Sequence, residues 1–132
     1  MTAMADWNGA VVLRYFEEFW NARRLEAADE IVAPDYVNHG PNDPGTARGP
    51  EAVKAVAREY LAEIPDVRFR VEHIVAEGDY VAARWTCWGT HRSGRPVSVT
   101  GIAYLRLEGG RIAESWNQWD AAGYERQIGG RS

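Results

Sequence analysis

Between residues 6 and 64 apolar side chains recur every third or fourth position, and from 66 to 120 they recur every second one. That change of period separates helices, early in the chain, from strands that follow. Val12, Tyr15, Phe16, Phe19 and Trp20 make one stripe, which predicts a helix from Asp6, a suitable N-cap, to about Arg23. A shorter helix is expected over Leu25 to Val32, stopping before Pro34 because the residue preceding a proline is pushed out of helical geometry. Tyr36-Val37-Asn38-His39 reads as a short extended piece, and residues 40–49 as a loop rich in glycine, proline and Asx residues. Gly49-Pro50-Glu51 opens a third helix, with Val53, Val56, Ala57, Tyr60, Leu61 and Ile64 on its apolar face and Pro65 at its end.

The first long strand, Asp66 to Ala76, is expected to set Val67, Phe69, Val71, His73 and Val75 against Arg68, Arg70 and Glu72. A tight turn at Glu77-Gly78-Asp79 leads to Tyr80–Thr90, neither face of which is plainly polar. The turn at 91–95 leads to a strand from Pro96 to Leu107, and Glu108-Gly109-Gly110-Arg111 to a last one, Glu114 to Asp120. Alternation there puts Trp116, Gln118 and Asp120 on one face and Ser115, Asn117 and Trp119 on the other. Helices first and hairpin-linked antiparallel strands afterwards is the α+β pattern. A long, twisted meander with about three N-terminal helices on its concave face curls into a half-open cone that encloses a cavity.

Composition narrows the partners. At 132 residues the chain fits one domain, with its ends (1–5 and 129–132) expected to fray. Six Trp, six Tyr and three Phe exceed what a small core needs and are expected to line the cavity. A formal charge of −4 offers no basic footprint for nucleic acid or an anionic membrane. The single cysteine, Cys87, excludes a disulfide within the chain and a cysteine-based metal cluster. No apolar run approaches the roughly 20 residues of a membrane span, and residues 1–6 lack the pattern of a signal peptide. A cytoplasmic location is expected.

Two tryptophans, two amides and a carboxylate within residues 114–120 are costly to bury unless each polar tip finds a partner. Either they line a pocket or one face of the strand is solvated. Asp120, beside Trp119, is a candidate pocket acid; its other reading is a cap or turn acid ahead of Ala121-Ala122-Gly123. His39 is a candidate polar group of the pocket, and Asn38 alternates to its opposite side, so only one of the two is expected to face the pocket. His73 is a core histidine or a pocket wall. Trp20, Tyr60, Trp85, Trp88 and Tyr104, with Trp116 and Gln118, complete the candidate lining. Arg84, if inward, requires a carboxylate such as Glu114 or Asp120. Ser93 and Ser98 lack a His/Asp set, and histidines at 39, 73 and 91 lack the spacing of a zinc site. The turn at 108–110 leads to a strand rather than to the helix of a phosphate loop.

Taken in order, Tyr36-Val37-Asn38-His39, the Gly49-Pro50-Glu51 helix start, Val75-Ala76-Glu77-Gly78-Asp79, Gly110-Arg111-Ile112, then Glu114, Trp116 and Asp120 resemble the SnoaL-like polyketide cyclases (ester cyclases) of the NTF2-like superfamily. The resemblance runs from the first helix to Ile128. It implies a cone with a deep pocket, a homodimer formed through the outer sheet face, and no metal or organic cofactor. It also implies intramolecular aldol closure of a polyketide ester, with Asp120 as general acid/base and the Asn38–His39 segment supplying polar groups. Abstracting a proton next to a carbonyl needs a base whose pKa is raised by a dry site, for which Asp120 is the candidate, and a donor where charge develops on oxygen, for which His39 is the candidate unless it orients Asp120. The expected function is therefore a cofactor-independent cyclase, or a related proton-transfer enzyme, acting on a small apolar carbonyl compound. The alternative is a non-catalytic module that binds an apolar ligand or mediates dimer contacts, for which the aromatics alone would suffice.

Overall fold

The apolar stripe of the N-terminal segment forms helix α1 (Ala3–Arg14), which runs without a break into a π-helical stretch, Tyr15–Asn21, in a computed structural model that describes residues 3–40 and 48–129. The helix begins before Asp6, leaving that residue in the first turn rather than at the cap. Wider turns, marked by the 2.9 Å bond from the Ala22 N–H to the Glu17 carbonyl, put Tyr15 and Trp20, five residues apart, on one side. Asn21 ends the stretch. Its side-chain amide donates to the Phe69 carbonyl (2.9 Å) and accepts from the Phe69 N–H (2.8 Å), pairing with the sheet edge as a strand would.

A 3-10 turn (Leu25–Ala27) and the single-turn α2 (Ala28–Ile31) lead into β1 (Val32–His39), a strand twice as long as the expected 36–39 piece. Pro34 sits inside β1 instead of ahead of it, which an edge strand tolerates because only one of its sides faces another strand. Helix α3 (Gly49–Glu63) follows, then β2 (Arg68–Glu77), β3 (Tyr80–Thr90), β4 (Pro96–Glu108) and β5 (Arg111–Trp119). The sheet order is β1-β5-β4-β3-β2. The last four strands form the expected antiparallel meander, and β1 adds a fifth, parallel to β5. Helices lie against one face of this curved sheet, α1 on β2 and β3 and α3 on β1, giving the expected α+β architecture.

A bulge in β2 between Val71 and His73 changes one expected face. Phe69 and Val71 look inward as anticipated, but beyond the bulge Ile74 and Ala76 take the inner side while His73 and Val75 are exposed. The reading of His73 as core or pocket wall is thereby corrected: one extra residue reverses every later side chain. The core proper holds Val12, Phe19, Ile31, Val32, Val81, Leu105, Leu107 and Ile112, all but inaccessible.

Asp120 takes the second of its two readings, capping a C-terminal helix, α4 (Ala121–Gln127), whose extent periodicity did not announce. The Asp120 carboxylate accepts the Gly123 N–H at 2.9 Å. Replacing Asp120 by Ala should therefore cost about 1 kcal/mol of stability, read as a small fall in Tm, the usual effect of losing an N-cap. A catalytic loss without any change in Tm would contradict the capping role. No helix among the described residues is long and apolar enough to cross a membrane. Of the segments expected to be frayed or looped, residues 1–2, 41–47 and 130–132 lie outside the described residues, and Ala3–Ala5 already belong to α1.

Candidate functional site

The inner sheet face, the π-helical stretch and α3 enclose a cavity of about 350 Å³. Tyr15, Phe16 and Trp20 close one side, Val53, Val56 and Tyr60 of α3 another, and Phe69, Trp85, Cys87, Val99 and Trp119 form the sheet wall. The rings support one another: Trp20 and Phe69 are 4.8 Å apart, Phe69 and Trp85 5.3 Å, and Trp119 meets both Tyr60 and Tyr124 edge-on at 6.0 Å. Such a surface suits a flat or unsaturated apolar guest.

Polar groups gather on one wall. Parallel pairing sets Asn38 of β1 opposite Ser115 of β5, and Asn117 shares that inner face. Asn117 Nδ2 donates to Asn38 Oδ1 and to Ser115 Oγ, each at 2.7 Å, while the Tyr36 hydroxyl donates to Asn38 Oδ1 at 3.3 Å. Both amide hydrogens of Asn117 are thus committed. Its Oδ1 has no partner among the described residues and remains as an acceptor for a ligand O–H.

At another point of the lining the Tyr124 hydroxyl donates to a carboxylate oxygen of Glu63, the last residue of α3. Burial, and then the carboxylate acceptor, push the phenol above its ordinary range, so it stays protonated at neutral pH. Burial raises the Tyr15 phenol to about 12 and the Cys87 thiol to about 12. Cys87 is consequently a neutral wall group and not a nucleophile. Glu59 is the lining's own carboxylate, and it is exposed at the rim. Among the described residues no three of His, Cys, Asp and Glu stand close enough to hold a metal ion.

Of the residues singled out from sequence, Trp20, Asn38, Tyr60 and Trp85 line this cavity. Asn38 faces inward and His39 outward, one of each as strand alternation requires. On the outer face His39 stacks on Trp116 at 5.5 Å, Trp116 meets Tyr104 at 5.7 Å, and Tyr104 stacks on Tyr80 at 5.3 Å. His39 Nε2 lies 2.8 Å from Glu114, which Arg106 also bonds at 3.3 Å; these two, His39 first, draw the Glu114 carboxyl below the usual carboxylate range. Arg84 is exposed, so the need for a buried carboxylate partner does not arise. Trp88 is also on the outer side, beneath the Arg70 guanidinium at 5.5 Å.

Gln118 and Asp120 are exposed and neither lines the cavity. The split of β5 into two faces holds; the inward one is Ser115, Asn117 and Trp119. Tyr36, Asn117, Trp119 and the Glu63–Tyr124 pair are the site residues that sequence reasoning passed over. Asn117 and Trp119 were visible as the companion face of β5. Tyr124 depended on recognising that Asp120 followed by Ala121-Ala122-Gly123 begins a helix.

A family model described as SnoaL-like polyketide cyclase matches residues 10–128. Among solved structures, wild-type IdmH from Streptomyces antibioticus is 33% identical, with 92% of this chain and 98% of that chain covered and a TM-score of 0.82. A SnoaL-like protein from Jannaschia sp. CCS1 aligns over 100% of this chain and 98% of its own at 21% identity and a TM-score of 0.90. AclR from Streptomyces galilaeus, for which a hydroxylase role has been suggested, is 24% identical over 97% of this chain and 88% of its own, with a TM-score of 0.84. The last two likenesses speak to the fold alone. No curated protein matches significantly.

Proposed function

The chain belongs to the SnoaL-like polyketide cyclase family, of NTF2-like fold, and from that membership we propose that its cavity binds a largely apolar, enolisable carbonyl compound and promotes intramolecular ring closure. One observation carries the reading: an aromatic cavity of about 350 Å³ whose polar groups are gathered on a single wall. The guest's enol or hydroxyl O–H donates to Asn117 Oδ1, while the Trp20, Phe69 and Trp85 rings hold the carbon skeleton folded against itself. Bringing the reacting carbons together in this way removes much of the entropic barrier to cyclisation. IdmH, 33% identical and itself described with a suggested polyketide cyclase role, supports the same chemical class.

Asp120 has no part in this reading, because its carboxylate caps α4 outside the cavity. The outward aromatics support a second proposal, a homodimer through the outer sheet face, since Ile102 and Tyr104 are 51% and 45% exposed there.

Binding can be tested with surrogates of the expected shape. The protein should bind 2-naphthol about fivefold more tightly than 2-methoxynaphthalene in equilibrium dialysis, since only the first offers an O–H to Asn117 and one hydrogen bond is worth about 1 kcal/mol. Asn117→Leu should bring the two affinities together. Binding of neither compound, or a preference that survives the substitution, would defeat the reading.

A further inference from the structure

We propose that Tyr124 and Glu63 form the proton-transfer couple of this cavity, Tyr124 facing the guest and Glu63 taking up the proton behind it. The inference rests on the cavity being a site for an enolisable carbonyl compound, and it assigns a task that the polar wall of Asn38 and Asn117 does not perform: those amides can orient an oxygen but cannot accept a proton from carbon.

Three observations converge on the couple. Tyr124 is buried and lines the cavity. Its hydroxyl is directed onto the Glu63 carboxylate, so its proton already points at an acceptor. Its ring is wedged between Trp119 at 6.0 Å and His91 at 6.2 Å, on a helix that the Asp120 cap anchors. Elsewhere among the described lining residues the one carboxylate is Glu59, which is exposed at the rim. A relay therefore needs no charged group inside the apolar chamber. The phenol oxygen takes the proton from the carbon next to the carbonyl as its own hydroxyl proton passes to Glu63, and the C–H electron pair becomes the enolate. Tyr124 remains neutral throughout. That course fits a phenol whose ionised form is disfavoured by burial. Reversing the two transfers returns a proton to the alkoxide that ring closure creates, so the couple ends as it began.

The relay can be tried on 5-nitrobenzisoxazole, a flat carbon acid of suitable size. Loss of its C3 proton breaks the N–O bond and releases a coloured cyanonitrophenolate, with no other reactant required. The wild-type protein should bind the probe, seen as quenching of tryptophan emission, and turn it over. Glu63→Gln and Tyr124→Phe should each lower kcat about tenfold or more while KM stays within about twofold, and the double variant should be no slower than the slower single one. Circular dichroism melts of the three variants would show that each retains its fold. Quenching without wild-type turnover, or a variant that keeps kcat and loses only KM, would overturn the relay and leave the binding cavity standing. Absence of quenching would overturn the cavity reading itself.

Discussion

Gly101→Ala is expected to destabilise the protein by about 3 kcal/mol and to abolish ligand binding, one methyl group doing both. Gly101 lies between two tryptophans in cross-strand register, Trp85 on β3 and Trp119 on β5. A Cβ at this position would fall 2.5 Å from Trp85 Cζ2, 2.8 Å from the Gln118 carbonyl oxygen and 2.8 Å from Trp119 Cβ. Two of those atoms belong to the backbone or the root of a side chain and cannot rotate away. Relief has to come from the Trp85 indole, which would swing into the cavity it lines. Thermal melting should show Tm lowered by roughly 10 °C, and dialysis should show affinity for 2-naphthol gone. An unchanged Tm would mean the strands part more easily than their register implies.

Gly49→Ala should be damaging to a similar degree, about 3 kcal/mol, for a different reason. Gly49 begins α3 at φ +73°, a left-handed conformation that costs an L-residue about 1–2 kcal/mol. Its Cβ would in addition sit 2.6 Å from the Pro34 carbonyl oxygen on β1. Gly78 separates the two contributions, having φ +58° with open space around the same position. Gly78→Ala should lose only the conformational part, while Gly49→Ala loses that and the fit of α3 on β1. Since α3 supplies Val53, Val56, Tyr60 and Glu63, melting and probe turnover should fall together in Gly49→Ala and not in Gly78→Ala. Equal effects from both substitutions would rule out the collision with Pro34.

Much of this architecture could be read from periodicity. The stripe from Val12 to Trp20, the proline-bounded α3 and the hairpin glycines at 78 and 109–110 gave the order of elements and the inner position of Trp20, Tyr60 and Trp85. Local rules failed where neighbours far along the chain decide. Pro34 looked like a barrier until pairing with β5 made β1 an edge strand, and the bulge after Val71 turned His73 outward with no glycine or proline to announce it. For β5 the two faces were separable but not their direction, because both carry a tryptophan and an amide. Only the helices covering the sheet determine which amide is enclosed, and they enclose Asn117. The family resemblance pointed to Asp120, whose carboxylate caps α4, while the carboxylate of the lining is Glu59 and Glu63 accepts from Tyr124, 61 residues further along.

The clasp between Asn21 and Phe69 also bears on how the chain behaves in company. An alternating strand such as β2 could template the addition of foreign strands, each new arrival exposing the next. Asn21 takes both backbone groups of Phe69, and Arg23 reaches the Val67 carbonyl at 2.6 Å, so part of that margin is already saturated from within. The turn that shapes one side of the cavity thereby also guards a chain rich in β-structure against fibrous self-recruitment.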